Sequence, residues 1–87
     1  MFEAEIEALA TKSVKERRKL AEGTTTTPEV LVALAEDEDG WVRAEVAWNP
    51  NAPAATLAKL AEDKDAQVRY WMAKNPNTPA PEMKEIA

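Results

Sequence analysis

Twelve side chains recur at an interval of 26 residues. Leu31, Leu34, Ala35, Glu36, Asp37, Asp39, Val42, Arg43, Ala47, Asn49, Pro50 and Asn51 reappear as Leu57, Leu60, Ala61, Glu62, Asp63, Asp65, Val68, Arg69, Ala73, Asn75, Pro76 and Asn77. A period of this length points to a stack of like units, each burying its apolar face against its neighbours. Positions one period apart then occupy equivalent environments. The identical positions carry the fold, and function is left to positions where the copies differ.

The remaining inventory is narrow. The 87 residues suffice for one small domain, and neither cysteine nor histidine occurs. Disulfides, thiolate metal sites and imidazole chemistry are therefore absent. No apolar run reaches the ~20 residues that span a bilayer. The start, Met1-Phe2-Glu3-Ala4-Glu5, lacks the basic and apolar regions of a signal peptide, so a soluble cytoplasmic protein without membrane attachment is the expectation. Net charge is −5, from 11 basic and 16 acidic residues, which disfavours nucleic acid as a partner. Five cations are concentrated in one stretch: Lys12, Lys15, Arg17, Arg18 and Lys19. They read either as a solvated helix face beside acidic neighbours or as a local docking patch.

The period divides the chain into a degenerate unit at 1–26, full units at 27–52 and 53–78, and a partial capping unit at 79–87. Each full unit reads as two short helices. Leading helices are expected at 28–36 and 54–62, where Leu31, Leu34, Ala35 and Leu57, Leu60, Ala61 form stripes at i, i+3, i+4. Thr26 is the expected N-cap of the first, with Glu29 closing a capping box. Pro53 and Pro79 suit first helical positions. Trailing helices are expected to start from caps at Asp39 and Asp65. They direct Val42, Val46, Ala47 and Val68, Met72, Ala73 inward, and end at Asn49-Pro50 and Asn75-Pro76, with the asparagines suited to left-handed backbone. In the first unit, Ser13-Val14-Lys15-Glu16 is a capping box, and Arg17, Leu20 and Ala21 align with Arg43, Val46 and Ala47. Ile6, Leu9 and Ala10 form its leading stripe, while Met83, Ile86 and Ala87 begin a final one.

This combination of leucines, Val-Arg and Asn-Pro-Asn at fixed spacing resembles the leucine-rich repeat variant (LRV) family, a HEAT-like helical repeat. The resemblance implies an all-α, right-handed superhelical solenoid of alternating α and 3₁₀ helices, here with about three repeats of 26 residues. The short leading helix is the candidate for 3₁₀ geometry. The cysteine-rich iron–sulfur segment of some relatives has no counterpart. The family implies an interaction scaffold rather than one activity.

The copies disagree most at the aromatic residues. Trp41 aligns with Gln67, Trp48 with Lys74, Trp71 with Glu45 and Tyr70 with Ala44. Positions that accept Gln, Lys or Glu in one copy are expected to face solvent in both. Residues 41, 45 and 48 share a helical stripe, as do 67, 71 and 74. Side-by-side stacking would place Trp41, Trp48 and Trp71 on one surface, with Glu45, Gln67 and Lys74 as its polar rim. Exposed aromatic clusters mark interaction surfaces. The competing readings are indoles folded onto the core and self-association through the same face.

Elsewhere the expectations are structural. Arg43 and Arg69 should pair with acidic turns such as Asp39, Asp63 or Asp65. The asparagines should form turns. The run Glu36–Asp39 lacks the glycine and final glutamate of a calcium loop, and no nucleophile–base pair, phosphate loop or metal spacing appears. The expected function is non-enzymatic, without catalytic residues, metal or cofactor: binding of another protein or peptide through Trp41, Trp48, Trp71, Tyr70, Glu45, Gln67 and Lys74. The alternatives are an acidic inhibitor that mimics nucleic acid, of the phage anti-defence type, and a structural repeat domain of a longer protein.

Overall fold

The computed structural model describes residues 3–78, so the expected unit at 79–87 lies outside the described residues. These residues form six α-helices and one 3₁₀ turn, with no strand: α1 (Glu3–Ala8), the 3₁₀ turn (Leu9–Thr11), α2 (Val14–Glu22), α3 (Pro28–Leu34), α4 (Gly40–Trp48), α5 (Ala54–Leu60) and α6 (Ala66–Lys74). The trailing helix α4 packs between α2 and α6, and α3 and α5 lie against it. The repeated apolar positions meet in one core. Leu31, Leu34, Val42, Val46, Leu57, Leu60, Val68 and Met72 are all buried, as the stripes require.

Cap chemistry explains the helix starts. Ser13 accepts from Glu16 N–H while Glu16 accepts from Ser13 N–H, completing the expected capping box. Asp39 accepts from Trp41 and Val42 N–H groups at the head of α4. Its counterpart Asp65 occupies the N-cap of α6 but makes no side-chain cap bond, because its carboxylate turns to Arg43. One corrected expectation concerns Thr26. The cap of α3 is Thr27, whose hydroxyl accepts from Val30 N–H, whereas the Thr26 hydroxyl donates to the Leu20 carbonyl at the end of α2. Pro53 likewise stands at the N-cap, with Ala54 as the first helical residue.

The leading helices differ from expectation in two ways. They are α-helical rather than 3₁₀, and they stop two residues early, at Leu34 and Leu60. Tightening is confined to the exit, where Glu36 and Asp37 N–H groups donate to Ala33 and Leu34, and Glu62 and Asp63 repeat the pattern with Lys59 and Leu60. These three-residue bonds satisfy carbonyls that a short helix leaves orphaned. In the first unit Ala10 is exposed in the 3₁₀ turn rather than on an apolar stripe; Leu9 alone there is buried.

Two side-chain ladders join successive units. The first is built from asparagine. Asn49 is buried, and its amide donates to the Ala21 and Gly23 carbonyls at 2.7 and 2.9 Å. One period on, Asn75 donates to Ala47 and Asn49 at 2.8 and 3.0 Å. Each also accepts from the N–H two residues ahead, forming the expected turn. Their backbone is extended rather than left-handed, and no described residue has positive φ. The extended conformation aims each amide back at the preceding helix end, whose terminal carbonyls have no partner within the helix.

The second ladder pairs arginine with aspartate. Arg43 donates through Nε and Nη2 to Asp63 at 2.8 and 3.1 Å, and through Nη2 to Asp65 at 2.7 Å. Its Nη1 donates to the Asp37 carbonyl. Arg17 makes a smaller set one period earlier, to Asp37 and the Lys12 carbonyl, without a second aspartate. The Arg43–Asp63 side chains are only 8% and 10% exposed, so their separation would leave a buried charge. Burial alone would raise the Asp63 carboxyl; the Arg43 hydrogen bond and charge and the Asp65 N–H together outweigh it and hold Asp63 below its ordinary value. The expected pairing with acidic turns is present for Arg43, whereas the bond seen for Arg69 is to the Asp63 backbone carbonyl.

Candidate functional site

The outer faces of the trailing helices carry the divergent positions. On α4, Trp41, Glu45 and Trp48 fall on one stripe above the buried Val42 and Val46, and on α6 Trp71 comes alongside. The three indoles line one groove with Arg18, Ala44 and Glu45. Ala44 is buried at the groove, where the next unit carries the exposed Tyr70.

The groove is graded from exposed to anchored. Trp41 and Trp48 are 50% and 48% exposed. Trp71 is partly buried against the core and meets Trp48 edge-on, with ring centroids 5.3 Å apart and planes at 62°. Tyr70 stands edge-on to Trp71 at 5.1 Å, is 54% exposed, and carries the Lys74 ammonium over its ring at 5.3 Å. These are the edge-to-face and cation–π geometries that aromatic rings favour.

Expectation and geometry part at the rim. Trp41, Trp48, Trp71 and Glu45 come together as anticipated, and Tyr70 adjoins them. Gln67 and Lys74 stand outside the lining: Lys74 lies over Tyr70, and the Gln67 amide sits beside Gly40. Glu45 is not a free rim carboxylate. It accepts from Arg18 Nη2 at 3.0 Å, and the Arg18 guanidinium carbon lies 5.8 Å from the centre of the Trp41 ring. Arg18 was missed as a groove residue because its partner lies 27 residues away, in the next unit. The available signal was its register: it aligns with Ala44 and Tyr70, on the edge of the same face.

A second groove continues from the first. It is lined by Val14, Lys15, Arg18, Lys19, Glu22 and Glu45, so the Arg18–Glu45 pair forms the shared wall. The aromatic groove encloses about 260 Å³, below the ~300–1,000 Å³ of ordinary small-molecule pockets and suited to a single inserted side chain. Among the described residues, no cluster of three or more acidic side chains is placed to hold a metal ion. No helix there is long and apolar enough to cross a membrane.

The acidic turns are largely committed elsewhere. Asp37 and Asp63 are bound by Arg17 and Arg43, and Asp65 shares Arg43, which leaves few carboxylates in a free row.

Neither a curated protein nor a solved structure significantly matches the chain. The sequence model of the leucine rich repeat variant family matches residues 40–65, one full period. That span begins with α4, crosses the Asn-Pro-Asn turn and α5, and ends at the cap of α6. Residues 40–65 are therefore similar to a leucine rich repeat variant unit, in agreement with the resemblance carried by the 26-residue frame.

Proposed function

We propose that this chain is a non-enzymatic interaction module, a right-handed superhelical stack of about three 26-residue units, that binds another protein through the aromatic face of its trailing helices. The observation that carries the reading is the convergence of all three tryptophans on one groove, at positions where the other copy holds Gln, Lys or Glu. A stack that accepts polar residues at those places has no general need of indoles there. Two half-exposed tryptophans beside an anchored third supply the large, rigid contact area typical of binding hot spots. The leucine rich repeat variant unit supports a repeat scaffold of this kind.

The test is capture from a native lysate with immobilised wild type beside the W41A/W48A double variant. Trp71 is left intact because it packs on the core. A partner retained by wild type and lost by the variant, with helical circular dichroism unchanged, supports the reading. Equal retention by both proteins contradicts it.

A further inference from the structure

The proposed binding face is not electrostatically neutral, and its charge has the opposite sign to that of the chain. Lys15, Arg18, Lys19 and Lys74 project from the outer faces of α2 and α6, against Glu22 and Glu45, whereas the whole protein is −5. Lys15 and Lys19 are one helical turn apart and, with the exposed apolar Val14, line the groove that runs on from the tryptophans. Arg18 already neutralises Glu45, which leaves the two lysines and Glu22 as the ionic groups of that second groove. The two grooves share a wall, so one extended segment can fill both.

Building on the proposed function, we infer that the partner presents an acidic peptide segment with one large apolar side chain. The apolar side chain enters the groove formed by Trp41, Trp48 and Trp71, and the flanking carboxylates meet Lys15 and Lys19. The groove volume of about 260 Å³ matches one side chain rather than a helix face. The Arg18 side chain is 45% exposed but its partner Glu45 only 22%, so the bridge is kept as the wall shared by the two grooves, and Lys15 and Lys19 are left to meet the flanking carboxylates. Complementarity over the ~8 Å range of unscreened charge favours this segment despite the net charge of the chain.

Three indoles give three resolvable Nε1–H resonances, which allow a direct test by NMR titration. The probes are four: a capped heptapeptide with phenylalanine between glutamate triplets, the same peptide with glycine for phenylalanine, the same peptide with lysine for glutamate, and oligothymidylate. The glutamate–phenylalanine peptide is expected to shift the Trp41 and Trp48 resonances at a midpoint at least about fivefold lower than the glycine or lysine peptide, a difference of about 1 kcal/mol. The K15E/K19E variant should lose the preference for the glutamate over the lysine peptide, while keeping its fold and its preference for phenylalanine over glycine. Tighter binding of the lysine peptide or of oligothymidylate would overturn the inference, as would concentration-dependent shifts without any probe, which mark a second copy as the occupant. Unmoved indoles with every probe would also overturn it. A captured partner that needs Trp41 and Trp48 but tolerates K15E/K19E would overturn the acidic-segment inference alone and leave the proposed function standing.

Discussion

Trp48 and Trp71 meet edge-on at 5.3 Å, although the positions one period away from them hold Lys74 and Glu45. The contact therefore belongs to this pair of units and not to the repeat as such. It fastens a half-exposed indole to one that packs on the core, so that the exposed ring is presented in a fixed orientation.

The arginine ladder predicts which charges matter to stability. Replacing Arg43 with methionine strands the buried Asp63 carboxylate and should cost about 3 kcal/mol. Replacing Lys59, whose pair with Glu36 is 74% and 69% exposed, should leave the unfolding midpoint unchanged within error. Urea unfolding of the two variants beside wild type checks the contrast.

Stability should fall in acid for a reason that can be located. The folded Asp63 carboxyl lies below its ordinary value, so the unfolded chain binds the proton more readily. Its contribution is then fully present above the unfolded value of about 3.9 and is lost as pH drops through the lower folded value. Thermal melts from about pH 6 down to about pH 3 should show a shallower acid loss for D63N than for wild type.

The asparagine ladder distinguishes donor from acceptor chemistry. N49A removes two donors and leaves the Ala21 and Gly23 carbonyls short of partners, at a cost of about 2 kcal/mol. N49D keeps the shape but turns carboxylate oxygens toward those carbonyls, and should destabilise more than N49A near neutral pH. Chemical denaturation of the pair reads the order directly.

Within the aromatic face, the cost of truncation should follow burial. W71A removes a ring packed on the core and should lower the unfolding midpoint more than W41A, which removes a ring that is half in solvent. Melting temperatures of the two single variants give the comparison.

Much of the fold was legible in the sequence because its causes are local. The stripes at Leu31–Ala35 and Leu57–Ala61, the caps at Ser13 and Asp39, and the stops at Asn-Pro all depend on neighbours within one turn. Side chains that act between units were harder to read. Asn49 offered a turn signature, and its inter-unit hydrogen bonds to Ala21 and Gly23 depend on backbone direction at a helix end. The choice between Thr26 and Thr27 as cap was decided by the end of α2, which claims the Thr26 hydroxyl. The groove tryptophans could be found because the period itself exposes departures from it. Arg18 also departs from the period, against Ala44 and Tyr70, but its significance comes from Glu45 and Trp41 across the stack.

Whether the aromatic face is surplus to the fold is read most directly from the urea unfolding free energy of W41A/W48A against wild type. Two half-exposed rings predict a loss of about 2 kcal/mol or less with an unchanged denaturant slope. A loss on the order of 5 kcal/mol, or a changed slope, would make the indoles part of the core and contradict a face kept for binding.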